Sequence, residues 1–282
     1  MTCEMRSLVC ALLATLLLPL SAQSEAQREI HSHYHGGLIW LKVNVTGKSE
    51  PLNFLLDSGA GISAIDLQTA RSLGVHLGNR QTVKGVNGQG FAYRVNDLQA
   101  VSGGIVLPKS VLAIDLRALS DCCDQPVDGI LGVDFFRGRI VQIDFTDGKI
   151  RILEKCDPKV ANCWVLPIKM CNDAFCVPVR VAGNPAQWMR LDTGCDAALE
   201  WVVSGTERAR TGQTSIAFSG ASVRYVSTSV QLGKQYFSAV TTGVHREQIF
   251  PGEAGLLGNG LLSKFRLTID KPRDRVIFEN PK

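Results

Sequence analysis

Residues 38–45 alternate cleanly, with Ile39, Leu41, Val43 and Val45 on one face and Lys42 and Asn44 on the other. That period predicts a half-buried strand. Thr46-Gly47-Lys48 turns the chain, and residues 52–56 return as a second strand. Its end, Phe54-Leu55-Leu56, is apolar without interruption and delivers Asp57 into the small-residue turn Ser58-Gly59-Ala60. An acid so placed carries a desolvation penalty unless something pairs with it. Asp66 then caps a short helix over Leu67–Ser72, stopped by Gly74. Residues 83–101 read as a strand pair interrupted at Gly85, Gly88 and Gly90, which predicts a mobile hairpin tip there. Further short strands are expected around Pro108 and over residues 140–145, with Asp147-Gly148 turning the chain into 149–153.

The pattern then repeats. Val179-Arg180-Val181-Ala182-Gly183 restates Val43-Asn44-Val45-Thr46-Gly47, and Leu191-Asp192-Thr193-Gly194 restates Leu56-Asp57-Ser58-Gly59. Ala254-Gly255-Leu256-Leu257-Gly258 restates Asp128-Gly129-Ile130-Leu131-Gly132. From there the halves align without a gap: Phe136 falls on Leu262, Asp144 on Asp270 and Ile150 on Val276. Such agreement marks an internal duplication, hence a mostly β protein of two homologous lobes spanning residues 36–155 and 160–282.

The first residues belong to neither lobe. Arg6 precedes an apolar run over residues 8–20, followed by small and polar residues. This predicts a signal peptide over 1–22, with cleavage as late as 26, and hence export to the periplasm or the extracellular space. The run is short for a bilayer span, so no stable membrane span is expected after cleavage. Net charge is +4 with no basic stripe, which argues against nucleic acid as a partner. Of nine cysteines, Cys3 and Cys10 leave with the leader, and an exported chain is expected to oxidise some of the rest. Proximity nominates Cys171 with Cys176 and Cys156 with Cys163. His31, His33 and His35 would share a face if that segment were a strand, but a solvated tail is the reading adopted. With no paired CxxC spacing, no metal and no cofactor are expected.

Asp-Ser/Thr-Gly alone is an ordinary turn. Here each triplet ends an apolar strand at an equivalent place in a repeated lobe, and each is followed later by two apolar residues and a glycine, Ile130-Leu131-Gly132 and Leu256-Leu257-Gly258. In these residues the chain resembles the aspartic peptidases. The local style of Asp57-Ser58-Gly59-Ala60 is similar to the small retropepsin-like members, which carry one lobe and dimerise, whereas this chain carries two lobes, as pepsin-like members do. The resemblance implies a bilobal acid-protease fold related by pseudo-twofold symmetry and an active site within a monomer. It implies Asp57 and Asp192 as catalytic residues, supported by Ser58, Gly59, Thr193 and Gly194, acting on a peptide or protein substrate. The hairpin at Gly85, Gly88 and Gly90 would be the flap, with Ser219-Gly220-Ala221 as a shorter counterpart. Tyr93 is read as a locally packing tyrosine rather than a flap residue.

Two departures from the pepsin pattern matter. Pepsin-like members place a hydroxyl directly after the triplet, where this chain has Ala60 and Cys195. Losing a bond to the charged carboxylate raises its pKa, which implies activity at weakly acidic to neutral pH. Cys195 itself is read as a small buried residue or a disulfide partner of Cys122 or Cys123. The second departure is length: between the leader and residue 38 there is no room for a pro-segment of pepsin size. The competing function is a catalytically silent module that binds peptides or proteins on the same fold; the presence of both acids favours the enzyme.

Overall fold

The computed structural model describes residues 28–85, 88–158, 163–203, 213–216 and 222–281. The leader, Cys3, Cys10, the hairpin tip 86–87 and the second hairpin tip at 219–221 lie outside the described residues. The chain is mostly β, with four short α-helices and one 3₁₀ turn among the described residues.

In the N-terminal half the strand order is Leu52–Leu56, Gly129–Leu131, Ala64–Asp66, Val111–Ile114, Gly88–Val95, Arg80–Gly85. In the C-terminal half it is Gln187–Asp192, Gly255–Gly258, Leu199–Val202, Gln235–His245, Ser222–Leu232, Gln213–Ile216. The senses of pairing agree step by step: parallel, antiparallel, parallel, then antiparallel twice. The first step of each succession puts the apolar-apolar-glycine segment beside the acid. Leu56 is registered with Leu131, and the Asp57 amide donates to the Leu131 carbonyl at 2.9 Å. In the other half Asp192 is registered with Gly258.

The halves meet in a shared sheet rather than across a loose linker. Ile140–Asp144 runs antiparallel to Arg266–Asp270, with Gln142 opposite Thr268. Asp144 and Asp270, both buried near this seam, are neutralised by Arg266 and Arg275, each at 2.8 Å. Below it a single apolar cluster runs through both halves, taking in Leu41, Phe54, Leu56 and Leu131 together with Val177, Met189, Leu191 and Leu257. Phe136 meets Phe175 edge to face across the divide, ring centroids 5.6 Å apart. An apolar face on each half is thus buried by the other, which makes their separation costly.

One local expectation changes. The segment Glu29–His35 is a strand, not a solvated tail: it pairs with Leu38–Val45 and with Lys149–Leu153. Ile30, fully buried, anchors it, and Lys149 and Arg151 clasp Glu29 at 3.0 Å each. One apolar residue among histidines gives no readable period, so only the waiting sheet edge reveals the strand. In the glycine-rich segment Arg80–Gly85 pairs with Gly88–Val95, with Gly85 registered opposite Gly88, and the expected mobile tip at 86–87 lies outside the described residues. All seven described cysteines are free thiols in this structure. Cys171 and Cys176 flank a tight hairpin and lie within hydrogen-bonding reach of each other.

Candidate active site

Each acid sits where an apolar strand stops and a turn begins. The turn amides, freed from any ladder, point back at the carboxylate. Asp57 Oδ1 accepts from the Gly59 amide at 2.8 Å and from the Ala60 amide at 3.0 Å. Asp192 Oδ1 accepts from the Gly194 amide at 2.9 Å. The Ala60 amide also reaches the Asp57 carbonyl, at 3.2 Å, whereas its counterpart, the Cys195 amide, reaches the Asp192 carbonyl at 3.3 Å but not the carboxylate. The two acids are therefore not equivalent, with two amide donors on Asp57 and one on Asp192.

The two carboxyls come together, each lying against the triplet glycine of the other half and near enough to shift the other's titration. Glycine makes this approach possible. A Cβ on Gly59 would stand 2.5 Å from Asp192 Oδ1, and one on Gly194 would stand 2.7 Å from Asp57 Oδ1. Such distances are far inside van der Waals contact, so each triplet glycine is required by the acid of the opposite half.

Beneath the acids the hydroxyls of Ser58 and Thr193 tie the halves together. Thr193 Oγ1 donates to the Leu56 carbonyl at 2.9 Å and accepts from the Ser58 amide at 2.9 Å. Ser58 Oγ donates to the Leu191 carbonyl at 2.7 Å and accepts from the Thr193 amide at 3.1 Å. Both residues are fully buried. Four backbone groups at the ends of the acid-bearing strands thus find partners in the other half.

Gly132 and Gly258 back each turn. A Cβ on Gly132 would lie 2.8 Å from the Ala60 carbonyl oxygen, and one on Gly258 2.7 Å from that of Cys195. The following amides, Val133 and Asn259, donate to those same carbonyls at 2.8 Å each.

Burial pushes the Asp57 carboxyl above the usual range, while the Gly59 amide, the Asp192 carboxyl, the Ala60 amide and the Arg190 charge pull it back. Asp192 is driven well above that range, by burial first and then by the negative charge of Asp57. Asp57 keeps some solvent contact, whereas Asp192 is 8% exposed. Two coupled buried carboxyls do not both ionise cheaply, and the extra amide donor on Asp57 with the deeper burial of Asp192 favours the charge on Asp57 and the proton on Asp192. Such a pair can take a proton with one member and give one with the other.

Three participants were not singled out from the sequence. Arg190, two residues before Asp192 and nearly fully buried, forms a bidentate pair with Glu253 at 2.7 and 2.6 Å. Its Nη1 donates to the Gly59 carbonyl at 2.7 Å. Asn259 Nδ2 donates to the carbonyls of Thr193 at 2.7 Å and Gly37 at 2.8 Å, fastening the site to the N-terminal half. The signal that was available is a charge inside an apolar strand: Met189-Arg190-Leu191 cannot bury a guanidinium without an acid.

The remaining predicted residues take other places. Tyr93 is partly buried and packs against the core. Gly90 lies opposite Val83 in the hairpin, which leads away from the Asp57 strand by four intervening steps of pairing. Cys195 is a free thiol beside Asp192, its pKa raised by burial first and by the Asp192 charge second. His33 and His35 stack with ring centroids 5.7 Å apart, and His35 bonds Asp124 at 2.9 Å.

A mostly β chain thus brings two Asp-Ser/Thr-Gly turns together, each carboxyl against the other turn's glycine. An aspartyl protease family model matches residues 41–135. That stretch contains Asp57, the glycine hairpin and Ile130-Leu131-Gly132, and it stops before Asp192. The likeness to aspartic peptidases is thus supported over this stretch, and with it a hydrolase of the peptidase kind. A comparison with curated proteins returned no match.

Proposed function

We propose that this chain is an exported two-lobed aspartic endopeptidase, with Asp57 and Asp192 activating one water between them. The carrying observation is that each carboxyl lies against the other triplet's glycine, under unequal hydrogen bonding. Ionised Asp57 takes a proton from the water as its oxygen attacks the peptide carbonyl carbon. Protonated Asp192 gives its proton to the carbonyl oxygen. The resulting tetrahedral diol collapses as Asp57 passes its proton to the leaving amide nitrogen and a diol hydroxyl returns a proton to Asp192, so the C–N bond breaks, one water is consumed and no covalent enzyme intermediate forms.

A pseudo-twofold relation between lobes 36–155 and 160–282 is supported by the matching strand successions. It is also supported by the seam, where Gln142 and Thr268, equivalent in the duplication, pair at the centre. Because both acids come from one chain, the catalytic unit is a monomer. The Gly85–Gly90 hairpin serves as the flap, closing over an extended peptide and excluding water. Ser58, Gly59, Thr193 and Gly194 hold the pair in register.

The test is cleavage of a diverse peptide library from pH 3 to 8 by the mature chain beside Asp57→Asn and Asp192→Asn. Cleavage by the unaltered chain alone is expected. Equal cleavage by all three would remove the pair from the chemistry, and silence from the unaltered chain would favour a binding module.

A further inference from the structure

Arg190 has no counterpart in the N-terminal half, where Leu55 stands two residues before Asp57. Its guanidinium is buried between three partners. Glu253 takes Nε and Nη2, the ring of Phe250 lies 3.4 Å from its central carbon, and Nη1 points at the Gly59 carbonyl, 2.7 Å away. Glu253, 1% exposed at its side chain, is held in turn by Asn172 Nδ2 at 2.9 Å. The ion pair is thus rigid, and its positive end is aimed across the divide.

The carbonyl it reaches belongs to the peptide unit joining Gly59 to Ala60. The N–H of that same unit donates to Asp57 Oδ1 at 3.0 Å. A cation on the oxygen end of an amide strengthens the donor at its nitrogen end, since hydrogen bonds in a chain polarise one another. The equivalent amide in the other half, Cys195, does not reach its carboxylate.

We propose that Arg190 is a positioning residue that determines which carboxyl of the pair is ionised, by holding and polarising the Gly59–Ala60 peptide against Asp57. This rests on the reading of Asp57 and Asp192 as the working pair. The titratable groups around the pair are Arg190 with Glu253 behind it, Cys176 registered opposite Arg190, and the Cys195 thiol beside Asp192. Arg190 is the cation among them: through space its charge lowers both carboxyls, and the hydrogen-bonded peptide adds a route that reaches Asp57 alone.

The experiment reads protonation directly. The mature chain, with its aspartate carboxyls labelled with carbon-13, is titrated by NMR in Asp192→Asn and Asp57→Asn backgrounds, so that each acid titrates alone. The combined change Arg190→Met with Glu253→Met removes both charges and leaves neither buried unpaired. It is expected to raise the Asp57 pKa by about one unit and that of Asp192 by clearly less. Equal shifts in the two acids, or none, would overturn the proposal. Should the double change unfold the chain, Arg190→Lys, which keeps the charge but loses the fork, is expected to give a smaller shift of the same sign. No shift in Asp57 there would overturn it equally. Peptide cleavage is measured separately: the asymmetric shift without cleavage in the unaltered chain would refute the peptidase reading alone, while cleavage with no shift would refute the role of Arg190 alone.

Discussion

Replacing Thr193 with valine keeps the shape of the side chain and removes its hydroxyl. In the folded chain that hydroxyl satisfies the Leu56 carbonyl and the Ser58 amide, both at 2.9 Å, and Thr193 is fully buried. Water has no access to replace it, so the substitution orphans one buried acceptor and one buried donor. At about 1–3 kcal/mol for each orphan, the expected loss is roughly 2–6 kcal/mol. Thr193→Ser keeps the hydroxyl and deletes a methyl, which costs about 1 kcal/mol. The two variants therefore separate hydrogen bonding from packing, because packing alone would rank them the other way. The assay is urea unfolding of the mature chain at fixed pH under reducing conditions, comparing midpoints with the slope unchanged. A valine variant as stable as the unaltered chain, or a serine variant less stable than the valine, would refute the claim that these bonds hold the halves together.

Other expectations follow from the same geometry. Asp192 has a folded-state pKa raised by burial and by Asp57, so its contribution to stability is present below the unfolded value of about 4 and is lost as pH rises through the folded one. Asp192→Asn should accordingly be more stable than the unaltered chain at neutral pH and converge with it in acid, as read by urea midpoints against pH; a gap that widened toward acid would contradict this. Gly194→Ala would set a Cβ 2.4 Å from Asp57 Cγ, and a displaced carboxyl should lower kcat at least about 100-fold, measured on any peptide the chain cleaves. Wild-type turnover in that variant would show that the close approach is dispensable. Ala60→Ser restores a hydroxyl beside a carboxylate that already accepts the residue-60 amide, so the acid limb of the pH–rate profile should move acidward by about one unit. An unmoved limb would mean the missing hydroxyl does not set the working pH.

What the sequence determined by itself is everything that repeats or alternates. The strand periods around Asp57 and Asp192, the helix capped by Asp66 through its bonds to the Gln68 and Thr69 amides, and the pairing of each acid with a later apolar-apolar-glycine segment were legible there. They were legible because local pattern decides which face of a strand is buried, and a duplication displays that pattern twice. The tertiary structure alone decided how the two acids differ. The Ser58 and Thr193 hydroxyls reach backbone groups more than a hundred residues away. Arg190 finds the Gly59 carbonyl 131 positions away and Glu253 63 away, and Asn259 finds Gly37 222 away. Such bonds depend on which backbone groups are left unpaired where two sheets meet, and chain spacing carries no trace of that. The same reason hid the strand Glu29–His35, whose one buried anchor, Ile30, gains meaning only from the sheet edge waiting for it.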